Sequence, residues 1–188
     1  MKYFEIPRKT VHILSLLVPL AAYYALLPTQ MVLLFFSAFY GYSEWRKIKG
    51  LPFFAHPYIG AMHRDEERAG WAPAPLFLAV GCLVSITFFR WEAFFIGIYQ
   101  AGFCDTVAAL CGKRWGKTKI PFFSRKTVVG SAAFFVAALP VALIFLSPAQ
   151  AVVLCLAGAY LESLPFKDLD NLTVPVIITF LAHQFLIR

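Results

Sequence analysis

The sequence is poor in charge. Only 14% of its 188 residues are Asp, Glu, Lys or Arg, and just ten of these are acidic, whereas 60% of the chain is hydrophobic. A soluble domain of this size carries about 25% charged and 45–50% apolar residues. This composition excludes an ordinary soluble protein, and no stretch has the make-up of a separate soluble domain. We therefore interpret residues 1–188 as a single integral membrane domain.

The sequence also lacks a cysteine framework. Its four cysteines all fall inside apolar stretches: Cys82, Cys104, Cys111 and Cys155. None has the spacing of metal ligands. This pattern is typical of small core residues and argues against a disulfide scaffold or a zinc site.

Long apolar runs are the main feature of the chain. Their number and length predict an all-α fold, a polytopic transmembrane bundle of about seven helical spans. The first run follows basic residues, as in a signal peptide, but it has no A-x-A cleavage pattern and further runs follow, so we interpret it as a transmembrane helix. The predicted spans are Val11–Leu27, Met31–Trp45, Pro73–Phe89, Glu92–Cys111, Val129–Leu146, Pro148–Leu164 and Leu172–Ile187.

The loops between these spans are strongly asymmetric. On one face they are tiny (Pro28–Gln30, Arg90–Trp91 and Ser147–Pro148), and the other face carries all but two of the 17 Lys and Arg residues. Basic residues concentrate on the cytoplasmic side of membrane proteins. We therefore predict that the N-terminus and this basic face are cytoplasmic. The long loop Arg46–Ala72 mixes aromatic and charged residues, which is typical of a segment in the lipid interface.

The net charge of +7 follows first from this orientation. It also suits anionic lipid headgroups or a nucleotide. Nucleic acid is the less favoured partner, and we predict none; the lipid bilayer is the expected environment.

Carboxylates lie close to the ends of the predicted spans. Asp105 precedes the cytoplasmic end of the fourth span by about two turns, Glu44 ends the second and Glu162 ends the sixth. Ionisable groups at such depth are candidate functional residues. The alternative is an ion pair that joins helices, with Arg46 or Lys9 as the partner.

Small residues surround Asp105 on the fourth span. Gly97, Ala101, Ala108 and Gly112 recur at spacings of three and four residues. Such a face lets a second helix approach closely. Ordinary packing explains the small residues, but it does not explain the carboxylate.

The segment Gly112–Val128 is rich in Lys and Arg. Gly112 and Gly116 are separated by three residues and follow a membrane helix, whereas a P-loop needs four residues and a preceding strand. We exclude a P-loop. A flexible glycine loop with Lys113 and Lys117 can still bind phosphate through backbone N–H groups and charge. The alternative is a basic cytoplasmic loop with no further role.

Polar residues also open three of the predicted spans. Taken alone, Asp170 could be a helix N-cap. Taken together, helix ends on one face present carboxylates beside basic groups, which suits metal-dependent phosphoryl transfer to a lipid at the membrane boundary. The residues at these helix starts are Arg8, Lys9 and His12, then Lys126, Thr127 and Gly130, then Asp170 and Asn171.

In this order along the chain, the motifs resemble those of the CTP-dependent lipid-alcohol kinases, a family that includes phytol kinase, dolichol kinase and yeast-type diacylglycerol kinase, with bacterial members. The family usually has Gly at the position of Cys104 and Glu at the position of Val129. The matching motifs are Arg8-Lys9-x-x-His12, Glu44 with Arg46, Asp105-x-x-Ala108, Gly112-Lys113-x-x-Gly116-Lys117, Lys126-Thr127-x-x-Gly130-Ser131, Glu162, and Asp170-Asn171-Leu172-x-x-Pro175.

The resemblance implies an enzyme that transfers a phosphoryl group from a nucleoside triphosphate, with CTP favoured, to a polyprenol, phytol or diacylglycerol at the cytoplasmic face. It implies Mg²⁺ or another divalent cation. The candidate catalytic and metal-binding residues are Asp105, Glu162 and Asp170. The candidate nucleotide-binding residues are Gly112, Lys113, Gly116, Lys117, Lys126, Thr127, Gly130 and Asn171, and the further site residues are Arg8, Lys9, His12, Glu44 and Arg46.

Three alternatives stay open. A phosphatidate cytidylyltransferase needs similar groups. A small transporter would place polar groups near the bilayer midplane, where these spans carry almost no charge. A scaffold that keeps the fold without the chemistry is the third.

Overall fold

A computed structural model of the chain describes residues 5–52, 60, 67, 70–120, 123–164 and 168–187. Almost all of these residues are helical, which confirms the predicted all-α class. The elements are α1 (Glu5–Leu14), α2 (Leu17–Tyr24), α3 (Leu26–Ile48), α4 (Ala74–Phe88), α5 (Trp91–Tyr99), a π turn (Gln100–Cys104), α6 (Asp105–Trp115), β1 (Lys119–Ile120), β2 (Phe123–Thr127), α7 (Val128–Phe145), α8 (Pro148–Ser163) and α9 (Asp170–Leu186).

The first corner of the chain differs from the prediction. The predicted turn at Pro28–Gln30 is wrong, because the helix breaks at Ala25, with φ −147° and ψ 70°, and α3 runs from Leu26 to Ile48. Pro28 lies in the first turn of α3, where the N–H that proline lacks has no partner within the helix. Proline therefore marks the start of this helix and not the loop before it.

The other two short corners are confirmed. The chain is extended at Arg90 between α4 and α5. At the second corner Pro148 opens α8, and Gln150 Oε1 accepts a hydrogen bond of 3.2 Å from the backbone N–H of Ser147. Both corners are tight because an extended residue, Phe89 or Leu146, ends one helix and the next helix begins within two residues.

The fourth predicted span is one continuous helical segment of 25 residues, Trp91–Trp115. Its middle is the π turn Gln100–Cys104, directly before Asp105. Gly97 permits close packing, as predicted: a β-carbon on it would lie 2.8 Å from the Pro175 carbonyl oxygen of α9. Gly102 was not predicted to have this role, but a β-carbon on it would lie 2.5 Å from the His12 carbonyl oxygen of α1. This segment is therefore held tightly against two other helices.

The helices pack around α9, which contacts α4, α5 and α8; α7 packs between α6 and α8, and α3 packs on α4. The core contains Phe94, Ile98, Phe134, Leu154 and Ile178, all fully buried. Shape-matched apolar side chains of this kind fix the relative positions of the helices.

The outer surface is apolar. Tyr24, Phe35, Val136 and Ile144 are each more than 60% exposed, together with many other large hydrophobic side chains. Apolar surface of this extent marks contact with lipid or protein. By length and composition, Trp91–Trp115 and Val128–Phe145 could each cross a bilayer. These features are those of a membrane protein.

The basic segment is more ordered than a flexible loop. Gly112–Trp115 form the last turn of α6, so the predicted loop is wrong for its first residues. The chain then forms an antiparallel hairpin that pairs Lys119 with Thr127. In the predicted interfacial loop Arg46–Ala72, Phe53, Phe54 and Tyr58 lie outside the described residues, whereas Trp71 is described and is 44% exposed.

Candidate active site

One ionic contact joins α1 to the start of α6. Lys9 Nζ lies 2.5 Å from Asp105 Oδ2, and His12 Nδ1 lies 3.5 Å from the same oxygen. His12 Nδ1 is also 3.2 Å from the carbonyl oxygen of Ala101 in the π turn. Asp105 therefore forms the ion pair with Lys9 that the sequence offered as an alternative, and it has a histidine as a second neighbour.

A second contact joins the hairpin to α8 and α9. Lys126, at the end of β2, forms an ion pair with Glu162 in the last turn of α8 and lies 3.6 Å from Asp170 Oδ2, at the first residue of α9. Burial alone would lower the pKa of Lys126, but the carboxylates of Glu162, Asp105 and Asp170 outweigh this effect and raise it. Lys126 is therefore an ammonium ion that links two candidate carboxylates.

A third contact involves a residue that the sequence did not single out. Arg8 Nη2 lies 2.7 Å from Asp168 Oδ1, and the Asp168 side chain is 1% exposed. Asp168 has a φ of 62°, a conformation that Asp and Asn tolerate better than most residues. Asn171 Nδ2 donates to its carbonyl oxygen at 3.2 Å. In the sequence, the one indication that Asp168 belongs to the site is its position two residues before the candidate carboxylate Asp170.

These contacts gather α1, α6, β2 and the facing ends of α8 and α9. We call this group the ionic cluster; it consists of Arg8, Lys9, Lys126, Asp105, Glu162, Asp168 and Asp170. Three cations thus face four carboxylates. In a partly buried setting, such an arrangement holds every charged group in a defined position.

The position of the Thr127 side chain explains why the basic segment has glycine at positions 112 and 116. It caps α7, accepting a 3.1 Å hydrogen bond at Oγ1 from the backbone N–H of Gly130. A β-carbon on Gly112 or on Gly116 would lie 2.8 Å or 2.5 Å from that oxygen. The glycines therefore make room for Thr127, which places the neighbouring Lys126 in the ionic cluster. Val129 is half-buried in the first turn of α7.

The remaining basic residues of this segment differ from the ionic cluster. Lys113 and Lys117 are exposed, at the end of α6 and just after it. An exposed lysine attracts anions through a solvent-screened field. Their predicted contact with phosphate stays a prediction.

Glu44 has a structural partner that was not predicted. It is 1% exposed, lies 2.7 Å from Lys47 Nζ and accepts a 2.9 Å hydrogen bond from the backbone N–H of Ala72. Arg46 instead donates to the Pro52 carbonyl oxygen at 2.6 Å. Glu44 thus anchors the segment before α4.

The ionic cluster offers carboxylate oxygens to a divalent cation. Carboxylate oxygens are the ligands that Mg²⁺ prefers, and Glu162 Oε2 is buried without a hydrogen-bond partner among the described residues. Within that part of the chain, however, no three His, Cys, Asp or Glu side chains are grouped as metal ligands. The site therefore matches a divalent cation in ligand type but not in arrangement.

Known proteins with similar sequences are lipid kinases. Over 95% of its length the chain is 26% identical to a Triticum aestivum protein named "Probable phytol kinase, chloroplastic". It is 27% identical over 97% of its length to the CTP-dependent diacylglycerol kinase 1 of Schizosaccharomyces pombe. Over 53% of its length it is 36% identical to the phytol kinase of Synechocystis sp..

The match covers 66% of the wheat protein, 94% of the Schizosaccharomyces protein and 48% of the Synechocystis protein. No family model and no solved structure matches the chain. The resemblance seen in the sequence motifs is confirmed by these relatives. Along almost its whole length the chain is therefore similar to kinases that carry the names of phytol kinase and CTP-dependent diacylglycerol kinase.

Proposed function

We propose that the chain is a polytopic membrane kinase that transfers the γ-phosphoryl group of a nucleoside triphosphate, CTP in preference, to the hydroxyl of a lipid alcohol at the cytoplasmic face. The ionic cluster is the observation that carries this proposal. It combines carboxylates and fixed ammonium groups at the ends of membrane-type helices, and the named relatives use phytol or diacylglycerol.

The chemistry follows from these charges. Phosphoryl transfer depends on positioning and on stabilising negative charge on the phosphate oxygens. Lys9 and Lys126 are held by Asp105 and Glu162, so their ammonium groups stand in place before the nucleotide binds. The alcohol oxygen attacks the γ-phosphorus, the bond to the β-phosphate oxygen breaks, and the nucleoside diphosphate leaves. The hydroxyl proton passes to a base of the protein.

The nucleotide would bind on the hairpin side of the cluster. Lys113 and Lys117 would draw the triphosphate towards the membrane, because exposed cations raise the local concentration of anions. Gly112, Gly116, Thr127, Gly130 and Asn171 are the further candidate nucleotide residues. Thr127 and the three glycines shape the hairpin that carries Lys126.

A divalent cation would arrive with the nucleotide. Mg²⁺ is commonly held by one or two carboxylates together with substrate phosphates. Glu162 is the best candidate ligand, since its Oε2 is buried and has no partner in the described part of the chain. When bound, the ion would offset charge on the phosphates. Removal of divalent cations with EDTA should abolish turnover, and added Mg²⁺ should restore it.

For the topology we propose one domain with about seven spans in a bacterial cytoplasmic membrane, with the N-terminus and the ionic cluster inside. The distribution of Lys and Arg along the chain supports this orientation. The exposed apolar surface of the helices supports the bilayer environment.

The test is product analysis with purified protein in lipid nanodiscs. CTP labelled in the α- or the γ-phosphate is supplied with phytol, farnesol, geranylgeraniol, undecaprenol or diacylglycerol, and with no acceptor as the control. The proposal expects γ-label in one of these lipids and CDP as co-product. Transfer of α-label with release of pyrophosphate would identify a cytidylyltransferase instead.

A further inference from the structure

The π turn Gln100–Cys104 interrupts the regular hydrogen bonding of the segment Trp91–Trp115 directly before Asp105. The backbone N–H of Asp105 donates to the carbonyl oxygen of Gln100, five residues earlier. In an α-helix the same N–H would donate to the carbonyl oxygen of Ala101, four residues earlier. Such π turns are rare and occur frequently at functional sites. The turn therefore releases the Ala101 carbonyl group from its α-helical partner.

The released carbonyl group faces α1. His12 Nδ1, a side-chain atom of α1, lies 3.2 Å from the Ala101 carbonyl oxygen. The next carbonyl oxygen in the turn, that of Gly102, accepts a buried 2.8 Å hydrogen bond from the Thr106 hydroxyl. Buried backbone carbonyl groups are almost always paired. The π turn is therefore completed by one side chain of α1 and by one of α6.

Gly102 allows α1 to approach the π turn closely. A β-carbon on Gly102 would lie 2.5 Å from the His12 carbonyl oxygen and 2.8 Å from Ser15 Oγ. Ser15 Oγ donates to that same carbonyl oxygen at 2.6 Å, just after the last residue of α1. The atom nearest to the added β-carbon thus belongs to the backbone of α1. A side chain at position 102 would therefore displace the helix itself and not only a flexible group on its surface.

The position of α1 also determines one contact of the ionic cluster. Lys9 of this helix has its Nζ 2.5 Å from Asp105 Oδ2 and 3.4 Å from the Asp105 carbonyl oxygen. Asp105 is the first residue after the π turn. The distance between α1 and the π turn therefore sets the distance between the ammonium and the carboxylate. Displacing a catalytic group by about 1 Å can cost about 100-fold in rate.

We propose that Gly102 is a positioning residue of the kinase reaction, because it lets the π turn hold α1 at the distance at which Lys9 meets Asp105. The inference rests on the proposed function, since it takes this ion pair as part of the catalytic site. Gly102 has no side chain that could contact a substrate. It acts through Lys9.

The first experiment displaces α1. Gly102→Ala should lower kcat about 100-fold, while the KM for CTP is retained because the exposed lysines that attract the nucleotide are unchanged. The control is Gly41→Ala in α3. A β-carbon on Gly41 would meet no atom within 4 Å among the described residues outside its own part of the helix, so kcat should be unchanged. A wild-type kcat in folded Gly102→Ala would overturn the proposal.

A double-variant cycle tests whether Gly102 acts through Lys9. Lys9→Ala removes the ammonium group that Gly102 positions. Adding Gly102→Ala to Lys9→Ala should therefore lower kcat little further, because residues that act through one contact give losses that are not additive in free energy. Losses that multiply in kcat, as they do for independent sites, would contradict the proposal.

Thr106→Val is the variant to use if Gly102→Ala does not fold. It keeps the shape of the side chain but removes the hydroxyl that donates to the Gly102 carbonyl oxygen. Since a buried acceptor then lacks its donor, kcat should fall about tenfold. Thr106→Ser keeps the hydroxyl and should retain the wild-type kcat. The control Thr29→Val removes an equivalent 2.8 Å hydrogen bond, to the Ala25 carbonyl oxygen, and should have no effect. Equal kcat values for Thr106→Val and Thr106→Ser would refute the role of the π turn.

Amine labelling of Lys9 gives a readout that does not depend on activity. Lys9 is half-buried in its ion pair, so an amine-reactive reagent should modify it slowly in the wild type and several times faster in Gly102→Ala, as measured by mass spectrometry. The control is Gly97→Ala. Its close contact is with the Pro175 carbonyl oxygen of α9, so Lys9 should react as in the wild type.

The labelling also separates this inference from the proposed function. Phosphoryl transfer by the wild type, together with unchanged labelling of Lys9 in Gly102→Ala, would leave the kinase function standing and refute the role of Gly102. Faster labelling of Lys9 in Gly102→Ala, with no transfer to any alcohol by the wild type, would refute the kinase function and confirm that Gly102 sets the position of Lys9.

Discussion

The protein has two groups of cations that look alike in the sequence and differ in the structure. The paired group, Arg8, Lys9 and Lys126, contacts Asp168, Asp105 and Glu162 in the ionic cluster. The exposed group, Lys117 and Lys119, lies just after α6 and on the hairpin. The carboxylates that pair with the first group are buried or nearly buried, so they fix the positions of these cations. The exposed cations instead attract anions from solution.

The energetic consequences of the two settings are different. Removing one member of a buried ion pair leaves an uncompensated charge and costs about 3–5 kcal/mol. An exposed charge contributes about 0–1 kcal/mol to stability, and salt weakens its effect. The paired group should therefore affect folding and chemistry, and the exposed group should affect the capture of the nucleotide.

The largest effect is expected at Asp105, the carboxylate shared by Lys9 and His12. Asp105→Asn removes the charge that orients both groups, so kcat for phosphoryl transfer should fall about 10³-fold. The control is Glu92→Gln, the same change at the opposite end of the helical segment Trp91–Trp115, where turnover should be normal. Full turnover in Asp105→Asn would show that the site has been placed at the wrong carboxylate.

The next largest effect concerns stability. Lys126→Met leaves Glu162, whose side chain is 3% exposed, without its partner and should lower the free energy of unfolding by about 3 kcal/mol. Adding Glu162→Gln should recover part of this loss because both charges are then absent. Thermal unfolding of the single and double variants measures the coupling, and strictly additive losses would contradict the pairing.

A smaller and different effect is expected at Lys117. Lys117→Ala should raise the KM for CTP about three- to tenfold, without a change in kcat or melting temperature, since an exposed cation acts through its screened field. The ratio to wild type should shrink as salt is raised. A lower melting temperature or a salt-independent change would place Lys117 in the paired group.

The smallest effect is expected for the exposed pair of Arg90 and Glu92 at the corner between α4 and α5. Their side chains lie 3.2 Å apart and are 48% and 34% exposed. Arg90→Ala should change the unfolding free energy by less than about 0.5 kcal/mol. A loss of several kcal/mol would show that exposure does not separate the two kinds of ion pair in this protein.

Most of the helices were predicted from the sequence because long apolar runs leave few alternatives. The first predicted span, Val11–Leu27, is wrong, because it is divided between α1, α2 and the start of α3. The other errors lie at residues that are compatible with two different local conformations. Pro28 is compatible with a loop or with the first turn of a helix, and the structure has the helix. Gly112 suggested a loop but packs inside α6 against Thr127. Some glycines are needed because a neighbouring side chain packs against them, and others because the backbone is flexible. The sequence alone does not distinguish the two, since it does not show which side chain lies next to the glycine.

The sequence predicted that carboxylates and basic residues would lie on one face, but it did not predict which of them form pairs. Asp105, Glu162 and Asp170 were expected near basic residues, and they lie there. Which lysine meets which carboxylate depends on packing between helices that are distant in sequence, such as α1 against α6. Asp168 was missed because its burial comes from the fold of the turn before α9 and not from any local pattern.

The most direct measurement compares both groups of cations in one kinetic assay. Alanine variants of Arg8, Lys9, Lys126, Lys117 and Lys119 are each assayed for kcat and for the KM of CTP with the same lipid alcohol. We expect the first three variants to lower kcat and the last two to raise the KM while keeping kcat. If the variants of the paired group keep the wild-type kcat, the ionic cluster is not the active site.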